Sequence, residues 1–302
     1  MLLSTQNHLL LDVYGFEESL RILKSAGYDA YDMSLFKMFE EDYELNAADY
    51  HQRAQEMRTM ADAAGLVCNQ AHAPYGSSTG DPQEDKKRFE AIVRSMEIAA
   101  ILGARIIVVH PKTHLSYITE KKTLWDMNLE FYRALAPYAK QFGIKIALEN
   151  MWQFSDDKKR IVHCVCARPE EFKAYLDELD DECFCACLDI GHAALVDEDI
   201  PTCIRVLGQK YLQALHVHDV DYQRDLHTMP YTQRINWEEV TAALAEINYQ
   251  GDLTFEADNF LCGFPKPLWE DATNLVVKVG RHLISEIEIK GRVEMRYEYN
   301  YI

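Results

Sequence analysis

Basic residues are scarce in this 302-residue chain: 31 lysines and arginines face 49 aspartates and glutamates, a net charge of −18. A field of that sign repels polyanions, whereas nucleic-acid binders carry a basic stripe and gain affinity by neutralising phosphates. Nucleic acid is therefore not the expected partner; a neutral or cationic small ligand, or a divalent metal, suits the field. No apolar run reaches the roughly 18 residues of a membrane span, so no membrane is expected either. Residues 1–11 have no positive leader and are interrupted by Gln6, Asn7 and His8. They do not read as a signal peptide, and the expected compartment is the cytoplasm. Cysteine is present eight times, but the C-x2-C ladders of structural zinc sites are missing. The thiols read as reduced, and Cys183, Cys185 and Cys187, alternating along one strand face, as small hydrophobes of the core. No Ser/Gly-rich linker, low-complexity segment or sequence repeat divides the chain, and 48% apolar residues suffice for a sizeable core.

What is present is an alternation. Strand-like runs occupy residues 1–7, 28–35, 66–72, 104–111, 144–150, 183–189, 211–219 and 251–258. Helix-like periodicity follows over 15–27, 47–64, 81–102, 121–142, 168–179, 200–209, from 236, and 268–287. Gly27, Gly65, Gly103 and Gly143 stand at helix stops, and Pro82 in a first turn. Eight strand–helix units joined by helix-length crossovers predict an α/β fold, a single (β/α)8 TIM barrel over residues 1–290, with a tail over 291–302.

In such a barrel the active site forms at the C-terminal ends of the strands. From the third strand to the eighth, the apolar run ends in an ionisable group: His72, His110, Glu149, Asp189 with His192, His216 and His218, then Glu256. Asp189 and His192 are expected where strand six becomes loop; Asp225 and His227 follow in the loop after strand seven. Buried carboxylates and imidazoles each lose several kcal/mol of solvation unless paired or metal-bound. Glu149, Asp189, one strand-seven histidine and Glu256, from four adjacent strands, make a compact site for Mn2+, Zn2+, Co2+ or Mg2+. An ion-pair network closing the barrel top is the bland alternative. His216 and His218 lie roughly 6.6 Å apart by strand rise, so one ion does not take both, and periodicity does not choose between them. Trp152 is a candidate wall for the apolar side of the pocket. His8, His51 and His282 read as surface or packing residues, and Lys112, Arg160 and Arg224 as solvated loop charge.

The segments Gln70-Ala-His-Ala-Pro-Tyr75, Val109-His-Pro111, Ala147-Leu-Glu-Asn150, Leu188-Asp-Ile-Gly-His192, His216-Val-His-Asp219 and Asp225-Leu-His227 resemble the xylose-isomerase-like TIM-barrel superfamily. That group spans sugar and sugar-phosphate isomerases, ketose 3-epimerases and endonuclease IV. The resemblance to the epimerase branch implies one divalent metal, Mn or Zn first and Co or Mg after, on Glu149, Asp189, His216 and Glu256. His216 is preferred to His218 because the branch places an acid three residues on, here Asp219. It implies Glu149 and Glu256 as the acid/base pair of an enediolate mechanism. His192 is implied to hold a substrate hydroxyl, with His72, His110, Trp152, His218, Asp225 and His227 around the substrate, a sugar or sugar phosphate. A homodimer or homotetramer is implied too. Endonuclease IV uses a larger set for three zinc ions, and all nine residue types have a match here: His72, His110, Glu149, Asp189, His192, His216, Asp225, His227 and Glu256. A multinuclear zinc phosphodiesterase is thus the second hypothesis, and a non-catalytic sugar-binding barrel the third. On strand two, Tyr31-Asp32-Met33 departs from the glutamate frequent in sugar-isomerase relatives.

Overall fold

The computed structural model describes residues 1–157, 159–180 and 182–299. Eight barrel strands follow one another as β1 (Leu3–Thr5), β2 (Ala30–Ser34), β3 (Val67–His72), β4 (Ile106–Val108), β5 (Lys145–Glu149), β6 (Phe184–Asp189), β7 (Leu212–His216) and β8 (Leu253–Phe255). Strands β2 to β7 pair in order as one six-stranded sheet, all neighbours parallel. β1 pairs parallel with β8, Leu3 opposite Leu253 and Thr5 opposite Phe255. Single parallel bridges, Gln6 to Asp32 and Val217 to Phe255, join this pair to the sheet on both sides and close the barrel.

Strand alternation sorts the side chains into two layers. Phe184, Ala186 and Leu188 pack outward into the large core shared with the helices. Cys185 and Cys187 turn inward to a separate small cluster with Val108, Ala147 and Ala214. Two residues further along the same faces stand His110, Glu149, Asp189 and His216. The small interior side chains thus end just below the polar ones. A register slip of one residue in any of these strands would send its polar group into the apolar outer layer.

Helix boundaries follow local chemistry. Asp81 caps the helix Pro82–Leu102, its carboxylate accepting from the amides of Gln83 and Glu84. Gly27, Gly65, Gly103 and Gly143 end their helices in the left-handed conformation, as anticipated. Three features differ from the sequence reading. After β6 the chain forms a short helix, Ile190–Leu195, instead of a loop, because the Asp189 carboxylate accepts from the His192 amide and caps it. Residues 151–166 hold an antiparallel hairpin, Trp152–Phe154 with Ile161–His163. The closing helix Trp269–Tyr299 runs past residue 287 and takes in most of the tail; residues 300–302 lie outside the described residues. Among the described residues no helix is long and apolar enough to cross a membrane.

The β1–β8 seam is covered by Gly280 of the closing helix, where a Cβ would come within 2.4 Å of Leu3 Cδ1 and 2.7 Å of Phe255 Cε2. In the same helix, a Cβ at Gly291 meets nothing within 4 Å. Gly291→Ala should gain about 0.5–1 kcal/mol from helix propensity. Gly280→Ala shares that gain but overpacks the seam by about 1–3 kcal/mol. Denaturant unfolding of the two variants should separate them by that amount; equal stabilities would rule out a tightly packed seam.

Candidate metal centre

The strand tips converge on one imidazole. His216, fully buried at the end of β7, places Nδ1 2.8 Å from Glu149 Oε1, 2.8 Å from Glu256 Oε2 and 3.9 Å from Asp189 Oδ2. A ring nitrogen carries at most one proton and so serves only one carboxylate as a donor. The Glu256 oxygen at 2.8 Å is correspondingly without a hydrogen bond. Glu149 Oε2 repeats the situation: His110 Nε2 lies 2.7 Å away and His72 Nε2 3.5 Å, yet this buried oxygen receives no hydrogen bond. Oxygen and nitrogen lone pairs that converge at such distances with too few protons between them could hold a cation. The ligating atoms of Glu149, Asp189, His216 and Glu256 all lie within 4.8 Å of one another. The donor set, three carboxylates and an imidazole, fits a borderline-hard divalent ion.

The electrostatics agree. Burial alone pushes the Glu149 carboxyl up, but the charges of His216 and His110 outweigh it and hold Glu149 well below its usual range. Glu256 is likewise raised by burial and then lowered further by His216 and His227. Burial lowers His216, but nearby Cys187, Glu256 and Glu149 overcome this and raise it well above an ordinary histidine. His110 goes the other way, with burial dominant and its affinity for a proton reduced.

A second group adjoins the first. Ligating atoms of His192, His218, Asp225 and His227 also fall within 4.8 Å of one another. Asp225 Oδ2 lies 3.4 Å from His192 Nε2, and Asp225 Oδ1 lies 3.1 Å from His227 Nε2. Trp152 Nε1 donates to Asp225 Oδ2 at 3.1 Å, so its polar edge orients that carboxylate while its ring stands 6.4 Å from His192. Burial lowers His227, but Glu256 and Asp225 push it up to about 9. His72, Glu149 and His216 form a third such group. All eleven anticipated site residues thus stand at the same end of the barrel, though not all face open space.

His218, implied by the resemblance to stand beside the substrate, is fully buried. Its Nε2 lies 3.0 Å from both Asp189 oxygens, and its ring stacks on His227 at 4.2 Å and 8°. The site also has parts without an anticipated role. Asn150 braces β6: its Oδ1 accepts from the Asp189 amide, its Nδ2 donates to the Asp189 carbonyl, and its own carbonyl lies 2.9 Å from His192 Nδ1. Asp219 anchors the loop that carries Asp225 and His227, accepting from the amides of Val220, Gln233 and Ile235 and from Trp237 Nε1. His8, read as a surface or packing residue, reaches the mouth, 2.6 Å from Asp258 Oδ2 and against Phe36. Phe36 in turn packs on Tyr75, which stands 5.2 Å from His110. His8 opens a short helix, His8–Tyr14, that the sequence reading did not assign, so no signal marked it. Arg224 folds back onto Asp221 at 2.7 Å.

The family described as xylose isomerase-like TIM barrel matches residues 20–276. An uncharacterised protein of Methanocaldococcus jannaschii is 26% identical over 197 residues, 62% of this chain and 64% of that protein. The chain therefore matches less than two thirds of that relative's length. D-psicose 3-epimerase of Ruminiclostridium cellulolyticum is 23% identical over 239 residues, 76% of this chain and 74% of the enzyme. A probable endonuclease 4 of Mycoplasmoides gallisepticum is 28% identical over 158 residues, 49% of each chain. The crystal structure of a D-tagatose 3-epimerase-like protein superposes with a TM-score of 0.70 at 20% identity, covering 97% of this chain and 99% of that one.

His218 is held so closely that Gly191 has to be glycine: a Cβ there would lie 2.0 Å from His218 Cε1 and 2.5 Å from Nε2. Gly191→Ala should destabilise by about 1–3 kcal/mol through overpacking. The double variant Gly191→Ala/His218→Ala should be more stable than the sum of the single effects. A four-member unfolding cycle measures this, and strict additivity would show that the ring and the glycine do not constrain each other.

Proposed function

The chain belongs to the xylose isomerase-like TIM-barrel family, and from that premise we propose that it is a divalent-metal-dependent sugar isomerase or epimerase. The observation that carries the proposal is the His216 Nδ1 atom held 2.8 Å from both Glu149 and Glu256. Glu149, Asp189, His216 and Glu256 would hold the ion, Mn2+ or Zn2+ in the first instance. When bound there, the ion polarises the substrate's carbonyl and neighbouring hydroxyl oxygens and so acidifies the C–H beside the carbonyl.

The protein's own groups do the rest. Glu149 and Glu256 end β5 and follow β8, with β6 and β7 between them in the sheet, so the two carboxylates approach the site from different strands. One removes the proton from carbon and the other returns it, through an enediolate. Asn150 holds the His192 ring by its Nδ1, which leaves Nε2 for Asp225 or a substrate hydroxyl. Trp152 and the Phe36–Tyr75 pair supply apolar surface at the mouth. Action on a free or phosphorylated small sugar, in the cytoplasm and as a homodimer or homotetramer, completes the reading. Ketoses incubated with the metal-loaded protein in heavy water should take up deuterium at the carbon beside the carbonyl. Glu149→Gln and Glu256→Gln should each abolish that exchange while the fold persists. Full exchange in both variants would sink the acid/base roles.

A second reading has a specific observation behind it. The cluster of His192, His218, Asp225 and His227, and that of His72, Glu149 and His216, give room for more than one ion, as a multinuclear phosphodiesterase would need. The charge of −18 opposes a DNA substrate for such a hydrolase. Metal analysis of the purified protein separates the two readings: about one ion per chain is expected of the isomerase, and three zinc ions per chain would favour the hydrolase.

A further inference from the structure

Behind the face of His216 that meets the glutamates lies a buried pair with no role in the reaction described above. Asp32, on β2, is fully buried. Its Oδ2 accepts from Gln70 Nε2 at 2.8 Å and lies 3.7 Å from His216 Nε2, while its Oδ1 has no partner. Gln70 Nε2 is also 3.1 Å from His216 Nε2. A carboxylate sealed from water with one oxygen unpaired is destabilising on its own, so its position calls for a reason beyond packing.

The backbone is shaped to make this contact. The pairing of β2 with β3 shifts register between Tyr31 and Asp32: Tyr31 stands opposite Cys68, but Asp32 stands opposite Gln70. One residue of β3, Asn69, is left over. Bulges of this kind re-aim side chains next to functional sites. Here the bulge turns two successive side chains inward. Asn69 reaches Ser4 and Thr254 inside the barrel, and Gln70 reaches Asp32 and His216. With regular alternation only one of the two would face the interior.

We infer that Asp32 and Gln70 are positioning residues that hold the His216 ring with its Nδ1 turned to the carboxylates and the metal. The inference rests on the metal reading above and deepens it. Nε2 of His216 faces both a donor, the Gln70 amide, and an acceptor, the Asp32 carboxylate. When Nδ1 carries the proton and donates to Glu149, the Nε2 lone pair accepts from Gln70. When Nδ1 gives its lone pair to an ion, the proton sits on Nε2 and Asp32 is the acceptor it meets. The pair thus backs the ring in either tautomer, and Gln70 keeps Asp32 in place. Carboxylates behind ligating histidines orient the ring and raise its basicity, and losing one typically weakens metal binding about 10–100-fold.

The test uses the full chain, stripped of ions by chelator and titrated with Mn2+ and separately with Zn2+ against a competing chelator, alongside thermal melts of the stripped protein. Asp32→Asn should weaken affinity by about 10–100-fold with an unchanged or raised melting temperature of the stripped chain. Gln70→Met, which removes the donor that holds Asp32, should weaken it in the same direction, and it carries the test alone if Asp32→Asn does not fold. Wild-type-like affinity in the variants overturns the positioning role. A loss of affinity matched by an equal loss of stripped-chain stability overturns it as well, since that marks a structural role only. A wild-type chain that takes up neither ion overturns the metal reading itself, a distinct result.

Discussion

Two glutamates and an aspartate stand within a few ångströms of one another in a space closed to water, and the upper half of the barrel is arranged around that fact. Desolvating each carboxylate costs several kcal/mol, and their mutual repulsion adds to it. Cations have to stand between them. His216 is the central one, its Nδ1 shared between Glu149 and Glu256; His110, its proton affinity reduced by burial, lies against the far side of Glu149. A protonated His216 offsets charge but does not meet the geometry, since Glu149 Oε2 and Glu256 Oε2 keep lone pairs that no donor satisfies. A divalent ion held by Glu149, Asp189, His216 and Glu256 would meet both demands.

The barrel makes this concentration of charge tolerable by keeping it one layer deep. Below the carboxylates the interior is filled by Val108, Ala147, Cys185, Cys187 and Ala214, side chains too small to crowd the level above. Outside, the apolar halves of the same strands belong to the large core with the helices. The stability of the wall therefore does not depend on the site, and the site can carry unsatisfied groups that a core could not. Asp189 links the two levels. Its side chain caps the helix Ile190–Leu195, takes His218 on both oxygens, and still faces His216.

This division explains what could be read before the structure was seen. The strand tips were legible because a strand with two buried faces is an apolar run, and the first ionisable residue after it stands at the rim. Glu149, Asp189, His216 and Glu256 all obey that rule. The short helix after β6 was not legible: Asp189 is a strand end and an N-cap at once, and a strand pattern has no mark for the second role. His218 obeys the same period-two rule as His216, yet the rule does not say that its ring would be trapped between Asp189, His227 and Gly191. Asp32 and Gln70 were hidden for a different reason. A bulge breaks the alternation on which inward and outward assignments rest, so Gln70 could be counted among motif residues without any sign that it reaches His216.

The second cluster bears on the chemistry more than its proximity suggests. In a one-ion isomerase, His192, Asp225 and His227 would form a hydrogen-bonded chain beside the substrate, with Asp225 held by Trp152. In a multinuclear enzyme the same atoms would face an ion. Asp225 is raised by burial but lowered far more by His192 and His227, so these groups already neutralise one another without an ion. Glu149 and Glu256 differ, because the two carboxylates compete for the one ring nitrogen of His216, whereas Asp225 has an imidazole against each of its oxygens. An ion therefore has more to gain at the first cluster, and occupancy should begin there whichever reaction the barrel performs. The hydrolase reading requires the second cluster to break its internal pairs before it binds, whereas the isomerase reading uses them as they stand. That asymmetry is the physical reason to prefer the isomerase.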